Sequence, residues 1–328
     1  RDRSVSRGLG DVYKRQNTDK ENLLEDTTFI VDIDDKNTRI DKYLSDELAD
    51  VSRSRIQKLL DEGMITVNNN KVKSNYKVAA DDIINVHIPE LVVPEIVPED
   101  ISLDIVYEDD DIIVINKPKG MVVHPAAGHY SGTLVNALMY HCRDNLSGIN
   151  GVLRPGIVHR IDMNTTGVIV ACKNDYAHNF IAQQLSVHSI TRKYYAIVHN
   201  QFNNTEGVVD APIGRNPSDR KKMAVDKKNG KRAVTHYRVL EQFGKFSYIE
   251  CQLETGRTHQ IRVHMASIGH PLLGDDVYGS GKSPFNLCGQ TLHAGVLGFI
   301  HPTTKEYVEY SADLPEYFQK VISRLRNS

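Results

Sequence analysis

A chain of 328 residues with 40% hydrophobic content is long enough for two domains and apolar enough for a sizeable core. Its four cysteines, Cys142, Cys172, Cys251 and Cys288, lie far apart with no Cys-x-x-Cys pair, which excludes a disulfide framework and a zinc knuckle and fits a reducing compartment. No apolar run approaches the roughly 18 residues of a membrane span and no secretory apolar core opens the chain, so it reads as soluble and cytoplasmic. The formal net charge of −2 argues at first against a nucleic-acid partner, yet it conceals segregation. Nine acids and no Lys or Arg fall between Glu90 and Asp111, whereas Arg215 to Arg232 carries eight basic residues against Asp219 and Asp226.

Residues 1 to 26 carry no periodic pattern and the earliest methionine is Met64, so this stretch reads as a non-native or disordered leader. A small module follows over residues 27–90. A short helix opens at Arg39-Ile40-Asp41-Lys42-Tyr43-Leu44, and a second runs from Ser52 to Leu60. Ser52 or Ser54 supplies its N-cap, Ile56, Leu59 and Leu60 form its apolar stripe, and Gly63 sits where a left-handed C-terminal residue belongs. Arg53, Arg55 and Lys58 lie off that stripe and face solvent. A hairpin then runs through Ile65-Thr66-Val67-Asn68, an Asn69-Asn70 turn and Lys71-Val72-Lys73, with lysines on one face. Arg and Lys displayed from both a helix and a hairpin point to RNA, a solvated basic face being the plain alternative. From Thr38 to Pro89 the module resembles the S4 RNA-binding domain, on its Ser-Arg-Ser helix, the following Gly and the Val-Asn hairpin.

Residues 91–104 hold Pro94, Pro98 and several acids, which suits a linker, and a second domain occupies 105–328. Strands are expected at Ile112–Ile115, Met121–Pro125, Gly156–Val158, Val168–Ala171, Lys193–His199, Ala233–Glu241 and Phe246–Glu254. Helices are expected after Thr133 and over Asp175 to His188. With no regular alternation of strand and helix, the class is α+β: a mainly antiparallel mixed sheet flanked by helices and loops.

Two stretches concentrate chemistry. His159-Arg160-Ile161-Asp162-Met163-Asn164-Thr165-Thr166-Gly167 places one carboxylate, Asp162, in a turn between strand-like runs, where it either reaches a cleft or caps its own turn. Glu254 to Met265 reads as a strand end, a turn at Gly256, an N-cap at Thr258 and a helix with Ile261, Met265 and Ile268 buried. Arg257 from the turn and Arg262 from the helix converge on one place, a site for a carboxylate, a phosphate or both. The spacing of His259 and His264 does not complete a zinc set. The basic run 215–232, with Lys221 and Lys222, is either a phosphate-binding loop or a solvated hairpin.

The run HRIDMNTTG, with Ile161 where Leu is usual, resembles the signature of the large pseudouridine synthase family typified by the ribosomal large-subunit enzymes. Asn116-Lys117-Pro118, His124-Pro125, Thr191 to Ala196 and Gly256 to Arg262 follow in family order, and the likeness spans about residues 100 to 315. It implies isomerisation of uridine to pseudouridine in large-subunit ribosomal RNA or its precursor, without metal or cofactor; a monomer is expected. By the same likeness Asp162 is the catalytic carboxylate, Arg262 its paired cation with Arg257 as rival, Tyr194 the ring stacked on the base, and Arg160 the side chain filling the gap left by the flipped nucleotide. His159, Thr165, Arg257, Arg53, Arg55, Lys58, Lys221 and Lys222 complete the expected RNA contacts. A non-catalytic S4-type RNA-binding protein and a nucleoside or glycoside hydrolase are the competing classes.

Overall fold

The computed structural model describes residues 25–48, 51–88, 96–125, 129–143, 145–149, 151, 154–219, 222–279 and 283–327. Residues 1–24 of the expected leader, 91–95 of the expected linker, and Lys221 lie outside them. The chain divides between Val93 and Pro94 into two compact units.

The first unit begins with β1 (Glu25–Ile30), so the last two residues assigned to the leader start a strand that the pattern did not announce. Two helices follow, α1 (Ile40–Glu47) and α2 (Arg53–Glu62), then β2 (Ile65–Val67), β3 (Asn70–Lys71) and β4 (Ile83–Ile88). The strands form one antiparallel sheet in the order β1-β4-β2-β3. The Ser52 hydroxyl accepts the Arg55 N–H at 3.3 Å and Gly63 takes φ 77°, so α2 is capped at both ends by residues chosen for it. Ile56, Leu59 and Leu60 pack with Ile40, Leu44, Ile65 and Ile84 into a separate core. The hairpin turn is Asn68-Asn69, one residue earlier than expected. Both hold positive φ, 50° and 64°, the pair of left-handed residues a tight hairpin requires and asparagine tolerates.

The second unit starts with residues 96–104, which carry no helix or strand and pack against it. Ile96 is buried, and the Val97 carbonyl accepts from Asn136 Nδ2 at 2.8 Å. Then come β5 (Ile105–Glu108), β6 (Ile112–Lys117), α3 (Leu134–Cys142), β7 (Thr166–Cys172), α4 (Asp175–Ser186), β8 (Thr191–His199) and β9 (Glu206–Asp210). A small hairpin of β10 (Ile213–Arg215) and β11 (Met223–Val225) precedes β12 (Val234–Phe243), β13 (Phe246–Leu253), α5 (Gln260–Ser267), β14 (Leu292–Ile300), β15 (Tyr307–Ser311) and α6 (Glu316–Arg326). The main sheet runs β5-β6-β7-β14-β8-β13-β12-β9 with β15 beside β14, and the β7/β14 pair is its one parallel contact among the described residues. Every residue of β7 is buried, as a strand covered on both faces demands.

Two expected strands do not form. Gly156–Val158 contributes an isolated bridge, Ile157 to Ala171, and Met121–Pro125 is a loop whose Val122 and Val123 carbonyls receive the first N–H groups of α3. In both places the apolar run serves the core without a ladder partner.

Candidate active site

Asp162 lies in the loop that enters β7. The Thr165 N–H closes a turn on the Asp162 carbonyl at 3.0 Å, and Thr166 Oγ1 meets His293 Nδ1 of β14 at 2.8 Å. At the strand entrance Gly167 takes φ 108°, and a Cβ there would stand 2.1 Å from the Ala294 carbonyl oxygen. Only glycine lets β7 and β14 meet so closely. The loop is held from the other side by Lys117, fully buried, whose Nζ donates to the carbonyls of Pro118 at 2.7 Å, Met121 at 2.9 Å and Met163 at 3.1 Å. Burial lowers its pKa to about 7, the Asp162 charge opposing. Three acceptors for three ammonium protons make Lys117 the knot that ties the loop to the end of β6.

The Asp162 side chain takes no backbone N–H among the described residues, so it does not cap its own turn. Instead Arg262 Nη1 donates to its Oδ2 at 3.0 Å. The rest of that guanidinium is a two-point fork on Asp275, Nε to Oδ2 at 2.7 Å and Nη2 to Oδ1 at 3.0 Å. Asp275 in turn accepts the Val277 and Tyr278 N–H groups at 2.9 and 3.0 Å. Burial works against the Arg262 charge, but the Asp275 hydrogen bonds and the two carboxylate charges outweigh it and raise its pKa. Asp275 thus aims Arg262, and Arg262 aims Asp162.

α5 is braced at its start by Gln260, whose Oε1 accepts from Thr255 Oγ1 and the Arg257 N–H and whose Nε2 donates to the Val234 carbonyl. Its N-cap is His259, not Thr258, in a left-handed conformation of φ 57° and ψ 21°. Ile261 and Met265 are buried as expected, but Ile268 is 38% exposed because the helix has ended at Ser267.

Around Asp162 the surface is hollowed on two sides. A hollow open to solvent, holding about 370 Å³ of space in all, is lined by Tyr194, Leu253, Ile261 and Leu292, with Thr165, Arg160 and Arg257 also lining it. A wider one of about 940 Å³ is bounded by Val122, His124, Met163, Asn164, Val277 and Gln290. Asp162, Arg160, His259 and Arg262 line both. Tyr194 is 9% exposed, and burial raises its pKa. Arg160 is exposed.

The structure therefore brings Asp162, Arg262, Tyr194, Arg160, Thr165 and Arg257 to one cleft. Arg257 does not contact Asp162; its Nε donates to the Arg232 carbonyl at 3.0 Å. His159 is spent on the scaffold, its Nε2 accepting the Val170 N–H at 3.1 Å while burial, aided by Arg192, holds its pKa down to about 3. In the first unit Arg53 binds Asp41, Lys58 stands 3.5 Å from Glu62, and Arg55 is half-buried on α2. Lys222 sits on the β10/β11 hairpin, which packs Ile213, Met223 and Val225 against Val263 of α5. Sequence reasoning missed Lys117 as the knot, Asp275 as the support of Arg262, and His259 as the left-handed N-cap of α5. Among the described residues no group of three or more His, Cys, Asp or Glu is placed to hold a metal ion.

Residues 111–267 match the family model described as RNA pseudouridylate synthase, and residues 38–84 match that of the S4 domain. The chain is 54% identical over 294 residues to the uncharacterized RNA pseudouridine synthase YlyB of Bacillus subtilis, covering 89% of this chain and 96% of that one. It is 47% identical over 297 residues to the ribosomal large subunit pseudouridine synthase D of Zymomonas mobilis, covering 88% and 93%. The solved structure of human RNA pseudouridylate synthase domain containing 4 superposes with a TM-score of 0.53 at 28% identity, covering 68% of this chain and 92% of that one.

Proposed function

On the footing that this chain belongs to the RNA pseudouridylate synthase family, we propose that it isomerises particular uridines of large-subunit ribosomal RNA, with Asp162 as the reacting carboxylate. The observation that carries the reading is the Asp275–Arg262–Asp162 array: a buried arginine gripped by one carboxylate presents another in a hollow lined by Tyr194.

The target nucleotide leaves its stack, at a cost of a few kcal/mol that is least in loops and single strands. Its base lies against Tyr194 and the apolar wall of Leu253, Ile261 and Leu292, while Arg160, exposed at the rim, occupies the space the base vacated. Arg262 fixes the carboxylate through Oδ2, and Asp162 meets the ribose as a nucleophile at C1′ or a base at C2′. The N1–C1′ bond breaks, the base turns within the hollow, and C5 bonds to C1′. C5 then gives up its proton and N1 acquires one, so the product has the mass of the substrate. Retention of the separated base against Tyr194, Leu253, Ile261 and Leu292 distinguishes this outcome from hydrolysis, which would release it. In the first unit, Arg53, Arg55, Lys58 and Lys71 supply phosphate contacts that add affinity without base readout.

The test is to incubate the purified chain with large-subunit ribosomal RNA transcript and map carbodiimide-reactive positions by primer extension. Stops at discrete uridines are expected, and none with Asp162→Asn. Free uracil would identify a hydrolase, and RNA binding without either product would identify a non-catalytic binder.

A further inference from the structure

We infer that His259, oriented by the Tyr278 hydroxyl, is a second positioning residue for Asp162, supplying an Nε2–H to Oδ1 while Arg262 holds Oδ2. The inference rests on the reading of Asp162 given above. Its geometry is a relay from the β10/β11 hairpin to the cleft. The Met223 N–H donates to Tyr278 Oη at 2.8 Å, and that oxygen lies 2.8 Å from His259 Nδ1. On the far side of the ring, His259 Nε2 is 3.7 Å from Asp162 Oδ1.

Two independent arguments set the tautomer. A backbone N–H can only donate, so Met223 occupies a lone pair of the phenol oxygen, and among the described residues the phenol proton has His259 Nδ1 as its acceptor. With Nδ1 accepting, the ring proton sits on Nε2, facing the carboxylate. The other tautomer would turn a lone pair toward a carboxylate oxygen, which is repulsive. Charge points the same way. The groups facing His259 are Asp162, Arg262, Asp275, Arg160 and Tyr278, and burial first, with the two arginines, holds the ring below its ordinary pKa against the carboxylates. A neutral donor therefore meets Asp162 without adding a second cation beside Arg262.

The backbone is arranged for this purpose at some strain. His259 takes φ 57°, a conformation that non-glycine residues rarely adopt, and its side chain makes no capping bond to α5. What the conformation achieves is to stand the ring edge-on to Tyr278, centroids 5.6 Å apart at 75°, between that ring and the carboxylate. The 3.7 Å separation is longer than a hydrogen bond, so the bond forms as the two groups close up in the complex with substrate. Arg262 holds one oxygen at 3.0 Å, and His259 stands beside the other.

The test compares wild type, Tyr278→Phe, His259→Gln and His259→Leu on the RNA substrate, with long-range nitrogen–proton NMR of the labelled histidine. In wild type, the Nε2–H tautomer is expected. Tyr278→Phe keeps the ring that lies beside Arg262 but frees the tautomer, so the NMR signal becomes mixed and kcat falls about 10- to 100-fold with KM unchanged. His259→Leu loses at least as much, whereas His259→Gln, whose amide nitrogen stands near the Nε2 position, recovers most of the rate. An Nδ1–H tautomer in wild type, or full kcat in Tyr278→Phe, overturns the inference. Absence of pseudouridine with wild type overturns the reading of Asp162 instead, and leaves the tautomer measurement to judge the relay alone. Should His259→Leu not fold, Tyr278→Phe and the NMR decide.

Discussion

Each unit of the chain is organised around an arginine–carboxylate cluster, and the two clusters are inverted copies of one device. In the first unit the buried member is an anion: Asp41, with no exposed side-chain surface, grips Arg39 through two bonds of 3.0 and 2.9 Å and Arg53 through two of 3.1 Å, and takes Gln57 Nε2 at 2.7 Å. Its arginines remain 46% and 48% exposed. In the second unit the buried member is a cation: Arg262, 6% exposed, is gripped by Asp275 and presents Asp162, 18% exposed. A charge hidden in protein aims its partner of opposite sign at solvent. One unit thus leaves cations at its surface and the other an anion, and the sign of the group left outside is what distinguishes the two clusters.

The comparison breaks first at Asp162. Asp162→Asn should lower pseudouridine formation by about 10²- to 10⁴-fold with RNA binding nearly intact; single-turnover assays beside filter binding read both, and ordinary turnover removes Asp162 from its role. Next is Arg262→Leu, which strands Asp275 as an unpaired buried charge and should cost about 3–5 kcal/mol in urea unfolding, with activity lost. A variant of full stability would show that the fork does not hold the site.

The first unit should respond in the opposite currency. Asp41→Asn releases both arginines from their anchor; a loss of about 1–3 kcal/mol is expected, with weaker RNA affinity and kcat preserved at saturating RNA. Arg53→Gln should flatten the dependence of log affinity on log salt by about one phosphate contact. An unchanged slope would make Arg53 a purely internal ligand of Asp41.

How much of this the sequence declares depends on the range of the interaction that decides it. α2 and α3 were readable because Ser52, Gly63 and Thr133 act within one turn of themselves. The pairing of Asp162 with Arg262 spans 100 positions, so no periodicity reaches it; it was legible only through motif likeness. Asp275 was invisible because it works from a loop, as a support for another residue. β14 escaped because Ala294, Gly295 and Gly298 dilute its apolar run, and those small residues are there so that β7, Tyr195 and Tyr307 can press close. α6 did carry a signal in the spacing of Phe318, Val321, Ile322 and Leu325.

A last expected effect is one of pH and sharpens the contrast between charges kept and charges refused. His159 and His124 are held near pKa values of about 3 and about 4, against an ordinary 6.5, chiefly by burial. The unfolded chain therefore binds more protons than the fold between pH 6.5 and those values. Stability should fall as pH drops through 6.5 toward 4, and thermal melts should show it; His159→Gln should lose its share of that slope.

The close meeting of Gly167 with Ala294 also dictates an order of events during biosynthesis. Because a nascent polypeptide emerges from its amino end, the RNA-gripping unit can finish folding while the strand that clamps the Asp162 loop is still unmade. Of the groups that hold the Asp162 loop, residues 292–300 emerge last, after Lys117, Arg262 and Asp275, so a product truncated before them keeps the whole first unit and lacks the strand on which Gly167 closes.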